Sequence, residues 1–114
     1  MGPRKRGSTE IPGVTMDAAG QVTAYDIEAQ TRSVFANVRA VLEEAGCSWE
    51  SLVDVTVFLT DMKRDFAAFN RVWSEHFPEP SRAPCRTTVE VGALPTPINV
   101  ELKVIARIGD GPGA

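Results

Sequence analysis

Two ionisable residues in the C-terminal third of the chain have types and positions suited to chemistry, Arg86 and Glu101. Glu101 lies between two aliphatic residues in an alternating segment, so its carboxylate must find a partner or lose free energy by desolvation. A carboxylate held partly out of water can act as a general acid or base. The alternative, which position alone favours, is a cross-strand ion pair with Lys103, Arg86 or Arg107.

Arg86 is the second candidate, because it begins a threonine-rich segment directly after Pro84 and Cys85. A guanidinium there can bind a substrate carboxylate through two parallel hydrogen bonds. The alternative is a solvated arginine at the end of a strand. Thr87 and Thr88 are more often plain strand formers than hydroxyl donors. Alternation directs Cys85 away from Arg86, so no nucleophilic cysteine is expected beside the guanidinium.

The other reactive residue types are sparse. The one histidine, His76, lies near the end of a predicted helix, where we expect a surface role favoured by the helix dipole. Cys47 and Cys85 are far apart in a chain without an export signal, and both are expected to be reduced. One histidine and no Cys-x-x-Cys provide too few ligands for zinc, so no metal is expected.

Composition restricts the class of protein further. The 114 residues, 43% of them hydrophobic, are enough for one small domain. Charged residues make up 24% of the chain and the net charge is −3, which gives neither a basic stripe for nucleic acid nor a polybasic membrane patch. No apolar run approaches the length of a membrane-spanning helix, and the basic start lacks the apolar stretch of a signal peptide. A cytoplasmic protein is expected.

The N-terminal half of the chain predicts an arm, a helix and a strand. Residues 1–25 are rich in Gly, Pro, Ser and Thr and predict an irregular arm, with one short strand near residues 11–16. A helix follows, capped by Asp26 and ended by Gly46. Its apolar stripe comprises Ile27, Thr31, Val34, Phe35, Val38, Val41, Leu42 and Ala45. Period-two alternation then predicts a strand over residues 52–59, with Val53, Val55, Val57 and Leu59 on one face.

A second helix is predicted from Met62 to Phe77 and is ended by Pro78. Two further strands are predicted over residues 85–91 and 98–108, and residues 109–114 are expected to be a disordered tail. This order predicts an α+β fold with both helices packed on one face of the sheet. The other face would carry mixed charged and aliphatic residues, which favours burial between copies of the chain.

Five segments of the chain resemble the Rid (YjgF) family of reactive-intermediate imine and enamine deaminases. They are Asp26–Arg32, Val55–Met62, Asp65–Asn70, Arg86–Val91, and Leu94-Pro95 followed by Val100–Lys103. Their order and spacing carry the resemblance, which identifies residues 26–108 as a Rid-family domain. Arg86-Thr87-Thr88 and Glu101-Leu102-Lys103 are most similar to the 2-aminomuconate deaminase branch of the family.

The resemblance implies a chorismate-mutase-like (YjgF-like) fold that lacks the family's N-terminal strand pair, in a homotrimer with clefts between subunits. It also implies that Arg86 binds a substrate carboxylate and that Glu101, the catalytic residue, positions or activates water. Asn70 and Thr88 would be further substrate-binding residues. Thr88 stands where the imine deaminases proper commonly have Cys.

The implied reaction is hydrolysis of a small carboxylated imine or enamine, a 2-imino acid or a 2-aminomuconate-like compound, to a carbonyl compound and ammonia. It requires no cofactor. The alternative is a non-catalytic trimer that binds small carboxylates or a protein partner.

Overall fold

The computed structural model describes residues 11–108, which form five strands and two α-helices. The elements are β1 (Val14–Met16), β2 (Val22–Tyr25), α1 (Ile27–Glu44), β3 (Leu52–Leu59), α2 (Met62–His76), β4 (Cys85–Glu90) and β5 (Val100–Ala106). Single 3₁₀ turns precede β3 and β4. From α1 onward the element order is the one predicted, and the α+β class is confirmed. The predicted tail over residues 109–114 lies outside the described residues.

Local signals in the sequence determine where both helices begin and end. The side chain of Asp26 accepts a hydrogen bond from the backbone N–H of Ala29 at the start of α1, as the predicted cap requires. Gly46 has a φ of +78° just after α1, and its N–H bonds back to the carbonyl of Glu43. Asp61 caps α2 by accepting from the N–H of Arg64 at 3.1 Å.

The main sheet has three strands in the order β4-β3-β5. β3 and β4 are parallel and are joined through α2, because parallel neighbours need a crossover connection. β3 and β5 are antiparallel. The strand at the centre, β3, is therefore hydrogen-bonded to a neighbouring strand along both of its edges.

Both helices pack on one face of this sheet, as predicted. The buried apolar core combines residues of α1, α2, β3 and β5, namely Phe35, Leu42, Leu52, Val55, Val57, Leu59, Phe69, Val72 and Val100. On the opposite face Ile105 is 52% exposed, and Glu101 and Lys103 are exposed beside it. Neither helix in residues 11–108 is long and apolar enough to cross a membrane.

Two residues assigned to buried faces were wrongly placed. Val53 was expected to share a face with Val55, but it is 50% exposed and Leu52 is buried instead. The register shifts between Leu52 and Asp54, and this bulge reverses the alternation at the start of β3. Val41 is 64% exposed at the edge of the α1 stripe.

The prediction of an irregular arm over residues 1–25 is wrong in its described part. The short strand expected near residues 11–16 is present as β1, but β2 follows it and the two form an antiparallel hairpin. Asp17 closes the turn by accepting hydrogen bonds from the N–H groups of Ala19 and Gln21. These strands pair with each other and form a sheet separate from β4-β3-β5.

Candidate functional site

The guanidinium of Arg86 packs against three aromatic rings of α2. Its central carbon is 4.9 Å from the ring centroid of Trp73, 5.6 Å from that of Phe69 and 5.7 Å from that of Phe66. Aromatic faces attract a cation, and more strongly when water is excluded. These rings form the surface that supports the charged group.

Arg86 is on the helix-covered face because its strand register places it there. Arg86 pairs with Val55 and Thr88 with Val57, and both partners are core residues. The Nη1 atom of Arg86 donates a 2.8 Å hydrogen bond to Oδ1 of Asn70. Burial lowers the pKa of the Arg86 guanidinium, since desolvation disfavours the charged form.

Arg86 differs from most arginines of the described chain in its partner. Five others, Arg32, Arg39, Arg64, Arg71 and Arg82, form ion pairs with carboxylates. Within residues 11–108 no carboxylate lies within ion-pair distance of Arg86, whose partner is the neutral amide of Asn70. A partly buried cation without a counterion is a natural receptor for an anionic ligand.

A cleft of about 550 Å³ opens between α2 and the edge strand β4 beside Arg86. It is lined by Met62, Lys63, Phe66, Ala67, Arg86 and Thr88. The Oγ1 atom of Thr88 is buried, and no residue of the described chain forms a hydrogen bond with it. An unpaired buried hydroxyl costs free energy, which makes Thr88 a candidate partner for a bound molecule.

The N-terminus of α2 is fixed to β4 next to this cleft. The Oε1 atom of Glu90 accepts a 2.8 Å hydrogen bond from the backbone N–H of Met62. Glu90 follows Arg86 and Thr88 on the same face of β4, so one strand supplies both the cleft and the anchor for the helix above it. The separation of α2 from β4 is thereby set at the end of the cleft.

Glu101 is on the other face of the sheet. It pairs with Phe58 of β3, whereas Arg86 pairs with Val55, and β3 separates the two strands. The Glu101 side chain is exposed, and it forms no ion pair or side-chain hydrogen bond with any described residue. Within one chain Glu101 is therefore exposed to water rather than shielded from it, and it is not paired with Lys103 or Arg86. Of the four predicted site residues, Arg86, Asn70 and Thr88 come together and Glu101 does not.

His76 lies in the last turn of α2, as expected, but it is half-buried rather than on the surface. Its ring lies 4.4 Å from that of Phe35 and 5.3 Å from that of Trp49, between centroids, and its Nδ1 is 2.9 Å from the carbonyl oxygen of Val72. A second cleft of about 610 Å³ adjoins these rings, where Arg82 is paired with Glu50. This second cleft therefore presents a cation that already has a carboxylate partner.

The remaining reactive groups do not gather into a site. Cys47 and Cys85 are free thiols, as predicted, and the side chain of Cys85 is exposed on the face opposite to Arg86. Among residues 11–108, no three His, Cys, Asp or Glu side chains are grouped to hold a metal ion.

Lys63 and Phe66 are cleft residues that the sequence reasoning missed. The signal was available in part, because Phe66, Asn70 and Trp73 recur at spacings of four and three and so share one face of α2. A polar residue among aromatic rings on one helix face indicates a surface with a ligand or a charged partner.

Comparisons with known proteins agree with this fold. The sequence profile of the family described as Endoribonuclease L-PSP matches residues 9–108. A RutC family protein from Synechocystis sp. is 47% identical over 100 residues, which cover 88% of this chain and 73% of the relative. The chain belongs to this family, the Rid (YjgF) family. The chloroplastic Reactive Intermediate Deaminase A of Arabidopsis thaliana is 34% identical over 89 residues, covering 78% of this chain and 46% of that family member.

A solved family member, yeast Mmf1, has the same fold. It superimposes with a TM-score of 0.69 at 34% identity, over 87% of this chain and 78% of the yeast chain. The YjgF-like fold class is thus confirmed. The chain spans from about half to about three quarters of the length of the two curated relatives described above.

Proposed function

We propose that this protein is a hydrolytic deaminase of a small carboxylated imine or enamine. The observation that carries the proposal is Arg86, a partly buried guanidinium held by an amide and three aromatic rings, with no carboxylate partner among residues 11–108. A substrate carboxylate would supply the missing counterion. The Arabidopsis relative is named Reactive Intermediate Deaminase A, which supports the same reaction.

The reaction needs little from the protein beyond positioning and proton transfer. An enamine first gains a proton on its β-carbon and loses one from its nitrogen, which gives the imine. Water then adds to the carbon of the C=N bond and gives up a proton, and the nitrogen gains one, which forms a carbinolamine. Loss of the hydroxyl proton and protonation of the nitrogen then expel ammonia and leave a C=O bond. In this proposal Arg86 orients the substrate through its carboxylate, and Glu101 accepts and returns the proton of the attacking water.

A second copy of the chain has to bring Glu101 to the Arg86 cleft, because the two residues lie on opposite faces of one sheet. The uncovered face that carries Glu101 also carries Lys103 and the half-exposed Ile105. We place this face against neighbouring copies in a homotrimer, with a site at each subunit interface. The site would then combine residues of two subunits.

The same geometry favours one alternative, a trimer that binds small carboxylates without turnover. Arg86, Asn70 and Thr88 are assembled within one chain and suffice for binding, whereas the proposed catalytic Glu101 is not among them. Nucleic acid is not favoured as the ligand. The net charge is −3, and the cleft wall is formed largely by Met62, Phe66 and Ala67. A small molecule acted on in the cytoplasm remains the proposal.

Ammonia release from freshly generated 2-iminobutyrate and from 2-aminomuconate tests the proposal. We expect the protein to accelerate ammonia release above buffer with at least one of them. Arg86→Ala should lose on the order of 10² in kcat/KM, because the group that orients the substrate carboxylate is removed. Arg39→Ala, which removes an exposed cation of α1, is the matched control. No acceleration by the wild-type protein, or full activity of Arg86→Ala, would contradict the proposal. Binding of a 2-oxo acid without turnover would favour the alternative.

A further inference from the structure

The Arg86 cleft contains a second cation, Lys63. Both side chains line the same cleft, together with the apolar side chains of Met62, Phe66 and Ala67. Phe66 is 38% exposed, so its ring is open to a ligand beside the two cations. A molecule that filled this cleft would meet positive charge at two residues and the hydrocarbon of Met62, Phe66 and Ala67.

Lys63 is not placed there to stabilise the helix. It occupies the first turn of α2, where the helix dipole disfavours a cation. The charge of its neighbour Arg64 is balanced by two ion pairs, since its guanidinium lies 3.6 Å from carboxylate oxygens of Asp61 and Asp65. Lys63 forms no ion pair with any residue between 11 and 108, and its ammonium is thus available to an anion.

We infer that Lys63 is a second anion-binding residue of the cleft, and that it selects substrates with two carboxylates joined by a short carbon chain. This inference rests on the proposed function, in which Arg86 binds the carboxylate next to the reacting carbon. The second carboxylate of the substrate would pair with Lys63, while its carbon chain lies against Phe66 and Met62. Monocarboxylates of equal length would bind through Arg86 alone.

Two 2-oxo acids of equal chain length separate the contribution of Lys63 from that of Arg86. One is 2-oxoadipate, with two carboxylates, and the other is 2-oxohexanoate, with one. Both resemble the product and do not turn over, so calorimetry measures binding alone. We expect the wild-type protein to bind 2-oxoadipate about fivefold more tightly, as an exposed ion pair allows, and this preference should shrink at high salt. Lys63→Met should abolish the preference by weakening 2-oxoadipate much more than 2-oxohexanoate, and Lys63→Arg should retain it.

Arg39→Met is the control for loss of one positive charge, and it should keep the preference. Equal binding of the two acids by the wild-type protein, or a preference that survives Lys63→Met, overturns the assignment of Lys63 and leaves the proposed function intact. If the wild-type protein binds neither acid, or if Arg86→Ala binds both as the wild type does, the carboxylate site itself is wrong. In that case the proposed function and this inference both fail.

Discussion

The Oδ1 atom of Asn70 accepts a 2.8 Å hydrogen bond from Nη1 of Arg86, and this contact links α2 to the edge strand of the sheet. The amide orients the guanidinium without neutralising it. A carboxylate at the same position would form an internal ion pair and compete with any bound anion. The choice of Asn at position 70 therefore keeps the charge of Arg86 available to a ligand.

Asn70→Asp tests this relationship with almost no change of shape. We expect binding of 2-oxohexanoate to weaken on the order of tenfold or more, because the new carboxylate forms an ion pair with Arg86 and competes with the ligand. Asn70→Ala removes only the orienting hydrogen bond and should weaken binding less. Calorimetric Kd values of the three proteins give the comparison. Wild-type affinity in Asn70→Asp would show that a ligand does not use this charge.

Thr88→Val tests whether the buried hydroxyl serves a ligand. Since Oγ1 lacks a partner in the described chain, its removal should stabilise the protein by about 1 kcal/mol and weaken binding of 2-oxohexanoate about fivefold. Thr31→Val is the matched control. The Oγ1 atom of Thr31 donates a 2.7 Å hydrogen bond to the carbonyl of Ile27, and its loss should destabilise the protein. Thermal unfolding and calorimetry measure both effects. Lower stability with unchanged affinity in Thr88→Val would assign the hydroxyl a structural role.

The hairpin is joined to α2 by Tyr25 and Asp65, and Tyr25 is the one tyrosine of the sequence. Its hydroxyl lies 3.1 and 3.0 Å from the two carboxylate oxygens of Asp65. Burial, and then the hydrogen bond to Asp65, raise the pKa of Tyr25 to about 12 from 10.0. Unfolded tyrosine ionises first, so this contribution to stability is fully present below about pH 10 and is lost as the pH rises through about 12.

Asp65→Asn should lower the pKa of Tyr25 toward its ordinary value, because the hydrogen bond to a charged acceptor and the repulsion of tyrosinate by the carboxylate are both removed. Burial remains, so part of the shift should persist. Tyrosinate absorbance during a pH titration measures this change without interference from another tyrosine. Glu43→Gln on α1 is the control and should not change the titration. An unchanged pKa in Asp65→Asn would mean that the hairpin is not docked through this contact.

Periodicity predicted much of the fold, but it did not predict how the strands align. The bounds of β3, Leu52–Leu59, follow from alternation, and Asp26 and Gly46 mark the ends of α1 as expected. Alternation assigns each residue a face within its own strand. Whether Arg86 and Glu101 share a face depends on the register of three strands, which no local pattern contains.

The hairpin was missed for a similar physical reason. β1 and β2 have three and four residues, too few for alternation to be distinguished from chance. These two strands are held in place by tertiary contacts instead. Gly13, with φ of +77°, allows its carbonyl to accept from the N–H of Asp26, and Gln30 Nε2 donates to Oδ1 of Asn99 at 2.9 Å. Such contacts between residues distant in sequence have no signature in composition or spacing.

The central claim, that one site combines Arg86 of one subunit with Glu101 of the next, is tested by complementation between two inactive variants. Arg86→Ala and Glu101→Gln should each lose on the order of 10² in deaminase activity. When the two are co-expressed in equal amounts and assemble at random, a site between adjacent copies receives both wild-type residues in about a quarter of cases. We therefore predict recovery of about a quarter of wild-type ammonia release. Activity no higher than the mean of the two separate variants would contradict a shared site.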